Sequence, residues 1–140
     1  METSEETGMT ERGAMFELSV DTHFAAAHFL RGYEGDCGRL HGHTWGVTLT
    51  VAAEENQALG MAVDFKEISA KLDAVVSAFD HQTLNYLEWF DEENPTAENI
   101  AKLIFELLER EFSGGITVRS VTVAESGRYR VTYRKDAESG

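Results

Sequence analysis

The chain has 140 residues, of which 42% are hydrophobic and 10% aromatic, the make-up of one globular domain with a real core. Its net charge of −13 argues against a nucleic-acid partner, which would require a surplus of Lys and Arg to displace counterions. The single cysteine, Cys37, excludes an intrachain disulfide, and no apolar run approaches the ~20 residues needed to cross a bilayer.

Residues 1–13 are polar and acidic, with neither the basic start nor the apolar stretch of a signal peptide. They read as a disordered tail, as do residues 136–140, leaving one domain over 14–135 and a cytoplasmic setting. From Met15 to Phe24 the sequence alternates, with Phe16, Leu18, Val20 and Phe24 on one face of a half-buried strand. Ala25 to Ala27 carry this strand on to His28, and a loop with Gly32, Gly35 and Gly38 follows. A second strand is predicted from His41 to Ala52, with Trp45, Val47, Leu49 and Val51 facing inward. After Gly60 the period becomes helical: Asp64 and Glu67 look like a capping box, and Phe65, Ile68, Leu72, Val75, Val76 and Phe79 share one face. Thr96 caps a second helix bearing Ile100, Leu103, Ile104, Leu107 and Leu108, closed by Gly114-Gly115. Two strands, Ile116–Glu125 and Arg128–Arg134, complete a ββααββ order. Strands grouped around helices without βαβ alternation indicate an α+β fold with an antiparallel sheet. Two helices cover one face of that sheet, so its other face and its edges call for further copies of the chain.

His41-Gly42-His43 is the most informative short segment, because residues two apart on a strand point to the same side and can reach one ion. His28, at the end of the neighbouring strand, supplies a third imidazole. Three imidazoles suit Zn²⁺ and leave a fourth position open, as in catalytic zinc sites, whereas a structural zinc would recruit several cysteines. Paired histidines on a strand also occur as plain polar surface. His23 rivals His28, but strand parity places it on the opposite side. A cupin metal motif fits the stretch from Gly35 to His43 but fails beyond it, where Val47 and Thr48 stand in place of the required Glu.

Read in order, Phe24-Ala25-Ala26-Ala27-His28, Cys37-Gly38-Arg39-Leu40-His41-Gly42-His43, Val63-Asp64-Phe65, Asp80-His81-Gln82-Thr83-Leu84-Asn85, Asn94-Pro95-Thr96-Ala97-Glu98-Asn99 and Ala124-Glu125-Ser126 resemble the motifs of the 6-pyruvoyltetrahydropterin synthase / 6-carboxytetrahydropterin synthase family. The resemblance runs from about Phe16 to Tyr133. It implies the tunnelling fold, a four-stranded antiparallel sheet backed by two helices, whose copies close their sheets into a barrel and stack as a homo-hexamer, a dimer of trimers. It implies Zn²⁺ on His28, His41 and His43, with Cys37 as base and Asp80 and His81 completing a catalytic triad. Glu125 would anchor the pterin ring and take part in the proton relay, with Thr96 beside it.

The chemistry implied is that of a dihydropterin triphosphate, on which a metal acidifies the side-chain hydroxyls, a base removes a side-chain proton and a second group returns one to the ring. A folate-linked branch of the family carries glutamate where Cys37 stands. The spelling around Cys37 and around Asn94 resembles the branch that forms 6-carboxytetrahydropterin, with loss of acetaldehyde and triphosphate, for queuosine synthesis. The pyruvoyl reaction and a non-catalytic, zinc-bearing ring protein are the alternatives. Arg39, Arg128 and Arg130 are candidates for the triphosphate.

Overall fold

The computed structural model describes residues 15–54 and 63–135; the tails expected from the sequence, and Gly60, lie outside them. Strands β1 (Phe16–His28) and β2 (His41–Ala53) pair antiparallel along their whole length, from Phe16 opposite Ala53 to His28 opposite His41. Helix α1 (Phe65–Val76) follows, then a short strand β3 (Gln82–Thr83), helix α2 (Ala97–Glu109), and strands β4 (Ile116–Ala124) and β5 (Arg130–Arg134). The sheet order is β3-β1-β2-β4-β5.

The expected four-stranded antiparallel sheet is therefore corrected to a five-stranded mixed one, since β3 lies parallel to β1 through Ala26–Gln82 and Ala27–Thr83. Two residues are too few to show any period, and the pairing is set by ties from outside β3. The backbone N–H of His81 donates to Ala25 O at 2.6 Å, and Asp80 Oδ1 accepts from Ala25 N at 2.9 Å.

Alternation in the strands becomes one buried layer. Phe24, Trp45, Val47, Leu49, Val121 and Val123 pack against Ile68, Leu72, Ile100, Ile104 and Leu108 of the helices. Phe24 stacks on Trp45 with ring centroids 6.0 Å apart and meets Phe79 at 5.6 Å. Each such large side chain contributes roughly 1.5–3 kcal/mol by leaving water. The opposite sheet face is polar and laced by side-chain hydrogen bonds: Ser19 with Thr50 at 2.7 Å, Thr48 to Asp21 at 2.6 Å, and Thr122 with Thr132 at 2.6 Å.

The helix boundaries agree with their sequence signals, with local corrections. Phe65, expected on the apolar face, is 56% exposed because it opens the first turn ahead of the buried stripe Ile68, Leu72 and Val76. Asp64 caps α1 by accepting from Lys66 N at 2.9 Å. The reciprocal bond from Glu67 that would make a capping box is not among the described contacts. Thr96 caps α2 through Asn99 N at 3.0 Å. Helix α2 ends before Gly114 and Gly115, whose φ angles of 66° and 94° turn the chain into β4. Removing the α1 cap with Asp64→Ala should cost about 1 kcal/mol, read as a lower urea midpoint with unchanged slope.

Candidate metal centre

The β1–β2 register sets the centre. His28 stands directly across from His41, and His43 lies two residues further along β2 on the same side. That side is also Trp45's, so the imidazoles continue the core-facing row past the point where the apolar side chains stop. Ring centroids are 4.5 Å apart for His28 and His41, 4.9 Å for His41 and His43, and 5.5 Å for His28 and His43. Trp45 presents its ring to the edges of His28 and His43 at 4.9 and 5.2 Å, and its indole N–H donates to Ala26 O at 3.2 Å.

Outer hydrogen bonds fix two of the tautomers. His28 Nδ1 donates to Pro95 O at 2.7 Å and His41 Nδ1 donates to Arg39 O at 2.6 Å. Because a carbonyl only accepts, the proton sits on Nδ1 and the Nε2 lone pair is free to face a cation. His28 Nε2 and His43 Nε2 are buried without a hydrogen-bond partner. A buried ring nitrogen of this kind costs free energy unless something binds it, and a metal ion is a partner that satisfies several at once. Burial lowers the His28 pKa, with smaller contributions in the same direction from His41 and His43, while the Pro95 bond opposes them. The imidazole is thus held neutral, the form that ligates.

Glu125 joins this cluster. By strand parity it follows Val121 and Val123 onto the inward side just past β4. Its Oε2 lies 3.2 Å from His43 Nε2 and 3.6 Å from His28 Nε2. One nitrogen or oxygen from each of His28, His41, His43 and Glu125 lies within 4.8 Å of the others, a set that could hold a metal ion. The resemblance implied pterin binding and a part in proton transfer for Glu125, not a place in the metal cluster; the alternation of β4 carried the signal for its position beside the histidines. His23 is exposed on the other face, as parity requires.

Beside His28 opens a cavity of about 550 Å³, lined by Cys37, Thr96, Glu98, Glu125, Arg128 and Tyr129 among others. Cys37 is exposed in a 3₁₀ turn (Asp36–Gly38), with its carbonyl accepting from Leu30 N at 2.9 Å. Gly38 closes that turn so tightly that a Cβ there would collide with the Tyr33 carbonyl oxygen. Arg130 also lines the cavity and Arg39 does not, so Arg128 and Arg130 are the two of the three candidate arginines that face it.

His81 faces a different space, an open cleft of about 570 Å³ that it shares with His43, Gly42 and Thr83. Its φ of 60° lies in the left-handed region, and it is the sole non-glycine residue with positive φ among the described residues. Backbone strain of this sort is kept where other contacts over-determine it, and here the Asp80 and His81 ties to Ala25 do so. Asp80 therefore divides its carboxylate, one oxygen on the β1 backbone and the other 3.6 Å from His81 Nε2. Within one chain, Cys37 and His81 line separate cavities.

An α+β domain whose sheet ends in three convergent imidazoles, beside a cavity holding a thiol and a carboxylate, has the build of a metal-dependent enzyme. The sequence profile described as 6-pyruvoyl tetrahydropterin synthase matches residues 17–136, and the chain belongs to that family. A protein of Archaeoglobus fulgidus named putative 6-carboxy-5,6,7,8-tetrahydropterin synthase is 37% identical over 110 residues, covering 78% of this chain and 87% of that one. The 6-carboxy-5,6,7,8-tetrahydropterin synthase of Synechocystis is 39% identical over 117 residues, covering 80% and 88%. Among solved structures, Caenorhabditis elegans 6-pyruvoyl tetrahydropterin synthase superposes with a TM-score of 0.79 over 88% of this chain and 97% of its own, at 24% identity, a likeness of fold.

If the left-handed backbone at His81 is strain kept for function, glycine should relieve it. His81→Gly should unfold at the same or a higher urea concentration than the parent, by up to about 1 kcal/mol. His81→Ala, which keeps the strain, should be the less stable of the two.

Proposed function

We propose that the chain converts 7,8-dihydroneopterin triphosphate to 6-carboxy-5,6,7,8-tetrahydropterin, releasing acetaldehyde and triphosphate, as a lyase of queuosine synthesis. The observation that carries this reading is the meeting of the histidine cluster with a cavity lined by Cys37, Thr96 and Glu125. Relatives named for that product, at 37% and 39% identity, support it.

His28, His41 and His43 would hold Zn²⁺, a choice that the all-imidazole donor set favours over oxygen-seeking cations. Zinc bound there supplies Lewis acidity toward the adjacent hydroxyls of the substrate side chain. Cys37 takes the side-chain proton, and His81 returns a proton to the ring while Asp80 orients its imidazole. Glu125 accepts from the neighbouring N–H groups on the pyrimidine edge of the pterin, with Thr96 beside it. Arg128 and Arg130 offset the charge of the triphosphate, which the overall acidity of the chain would otherwise repel.

Zinc analysis of single variants tests the ligand set. His28→Ala, His41→Ala and His43→Ala should each lose the ion, whereas His23→Ala and Cys37→Ala should keep one per chain. Retention by His28→Ala with loss from His23→Ala would overturn the assignment.

The reaction needs Cys37 and His81 together, yet they line different cavities of one chain. A hexamer, two trimers with sheets closed into barrels, would bring one chain's Cys37 cavity to its neighbour's His81 cleft. Two features favour such closure: the outer strand edges β5 and the part of β1 before Ala25, unpaired among the described residues, and the polar outer face. Product analysis after incubation with the triphosphate should show 6-carboxytetrahydropterin and acetaldehyde; a pyruvoyl product, or none, would refute the assignment. Cys37→Ala and His81→Ala should each reduce turnover by several orders of magnitude, and mixing the two inactive proteins should restore part of it. A monomer in solution, or verified subunit exchange without recovery, would sink the shared site.

A further inference from the structure

β3 pairs with β1 only at Ala26 and Ala27, yet the chain beyond keeps partners for its peptide groups on that side. At Phe29 and Arg31 two asparagine side chains replace the missing neighbour. Asn85 Oδ1 accepts from Phe29 N at 2.9 Å and Asn85 Nδ2 donates to Phe29 O at 2.8 Å. Asn94 repeats the arrangement at Arg31, accepting from its N at 2.8 Å and donating to its O at 3.0 Å. A side-chain carboxamide carries the same donor and acceptor as a peptide unit, so each Asn acts as one rung of a sheet ladder. His28 immediately precedes the first rung, and its Nδ1 is held by Pro95, the residue after Asn94. Asn85 is 5% exposed, and with His28 at 2% it makes up the buried polar residues of the described core.

We propose that Asn85 and Asn94 are positioning residues for the metal centre, fixing the backbone at His28 and the Pro95 carbonyl so that Nε2 of His28 stays aimed at the ion. The inference rests on the reading of His28, His41 and His43 as ligands. Backbone contacts alone do not fix this segment. The region from Leu84 to Phe90 is a pair of 3₁₀ turns, which cannot continue the β3 ladder. The guanidinium of Arg31 bonds the carbonyls of Phe90 and Glu93, which tethers the same loop at its far end but leaves Phe29 to Asn85. The local turn at Asn94 does not depend on its side chain either, because the Asn94 carbonyl oxygen, not the amide, accepts from Thr96 N at 2.9 Å and from Asn99 Nδ2 at 2.8 Å. Truncating Asn94 thus unties the turn that carries Pro95 from Arg31 at the end of β1, while sparing the cap of α2. Outer groups that orient a ligand typically account for a ten- to hundred-fold change in metal affinity.

The test is Zn²⁺ affinity of the full-length protein by competition with a chromophoric chelator, with the visible spectrum of the Co²⁺-loaded form as a second readout. Asn85→Ala and Asn94→Ala should weaken Zn²⁺ binding by about ten- to hundred-fold and alter the Co²⁺ bands. Asn94→Asp, which keeps the acceptor for Arg31 N and loses the donor, should fall between. Leu108→Ala separates positioning from general destabilisation. It opens a core cavity about 18 Å along α2 from Thr96, so it should lower the melting temperature without changing Zn²⁺ affinity or the Co²⁺ spectrum. Should Asn85→Ala fail to fold, Asn94→Ala, at a half-buried site, decides the matter. Parent-like affinity and spectrum in the Asn variants, with tight binding by the parent, would overturn the positioning role alone. A parent that binds neither Zn²⁺ nor Co²⁺ would overturn the metal reading, and the positioning role with it.

Discussion

The pairing of β1 with β2 fixes where every other part of the centre can lie. Along thirteen residues of each strand the register runs unbroken, and it ends with His28 opposite His41. Side chains on a strand alternate with a period of two, so a slip of one residue would turn Phe24, Ala26 and His28 out of the core together. The burial of Trp45, Val47, Leu49 and Val51 on β2 prevents that slip. Hydrophobic packing many residues away therefore holds the imidazoles in mutual reach. The three imidazoles occupy the last inward positions of strands whose earlier inward positions are apolar.

The placement has an electrostatic consequence. At the end of the core row, His28 is buried against Trp45 and Pro95, and the cost of charging it in that setting keeps it neutral. The apolar side chains that hold the sheet together also prepare a lone pair for an ion. Glu125 reaches the same spot from β4 and is one-third exposed, so it retains access to the cavity on the Cys37 side. A carboxylate there faces both ways, toward the imidazoles and toward the cavity, and the acidic character of the chain makes a cation beside it more welcome.

Much of this was legible in the sequence because it depends on period. Two long strands, two capped helices and two returning strands follow from spacings of two and of three to four, and the rejection of His23 followed from parity alone. The parts that escaped carry no period. β3 is two residues long and is made by Asp80 and His81 gripping Ala25. Asn85 and Asn94 belonged to recognisable motifs, but nothing in their spacing says that a side chain will stand in for a peptide group 56 or 63 positions away in sequence. Glu125 sits between the two cases. Parity places it inward, while its approach to His43 depends on the β2–β4 register, which the sequence leaves open.

The connection from Asp80 to Thr96 is where these long-range ties accumulate, and their order along the chain matters. Asp80 and His81 hold Ala25, β3 holds Ala26 and Ala27, Pro95 holds His28, Asn85 holds Phe29 and Asn94 holds Arg31. One irregular segment thus grips six of the seven successive positions around the end of β1, leaving only Leu30, whose amide turns instead to Cys37. The residues proposed for proton transfer and for pterin binding, His81 and Thr96, stand at the two ends of this segment, and Cys37 hangs from the one position it leaves free. Displacing His28 would then disturb all three. Within one chain the histidine cluster, Cys37 and the His81 cleft are therefore all set by one backbone trace, the end of β1, so that in a shared site each chain would offer both of its halves in fixed relation.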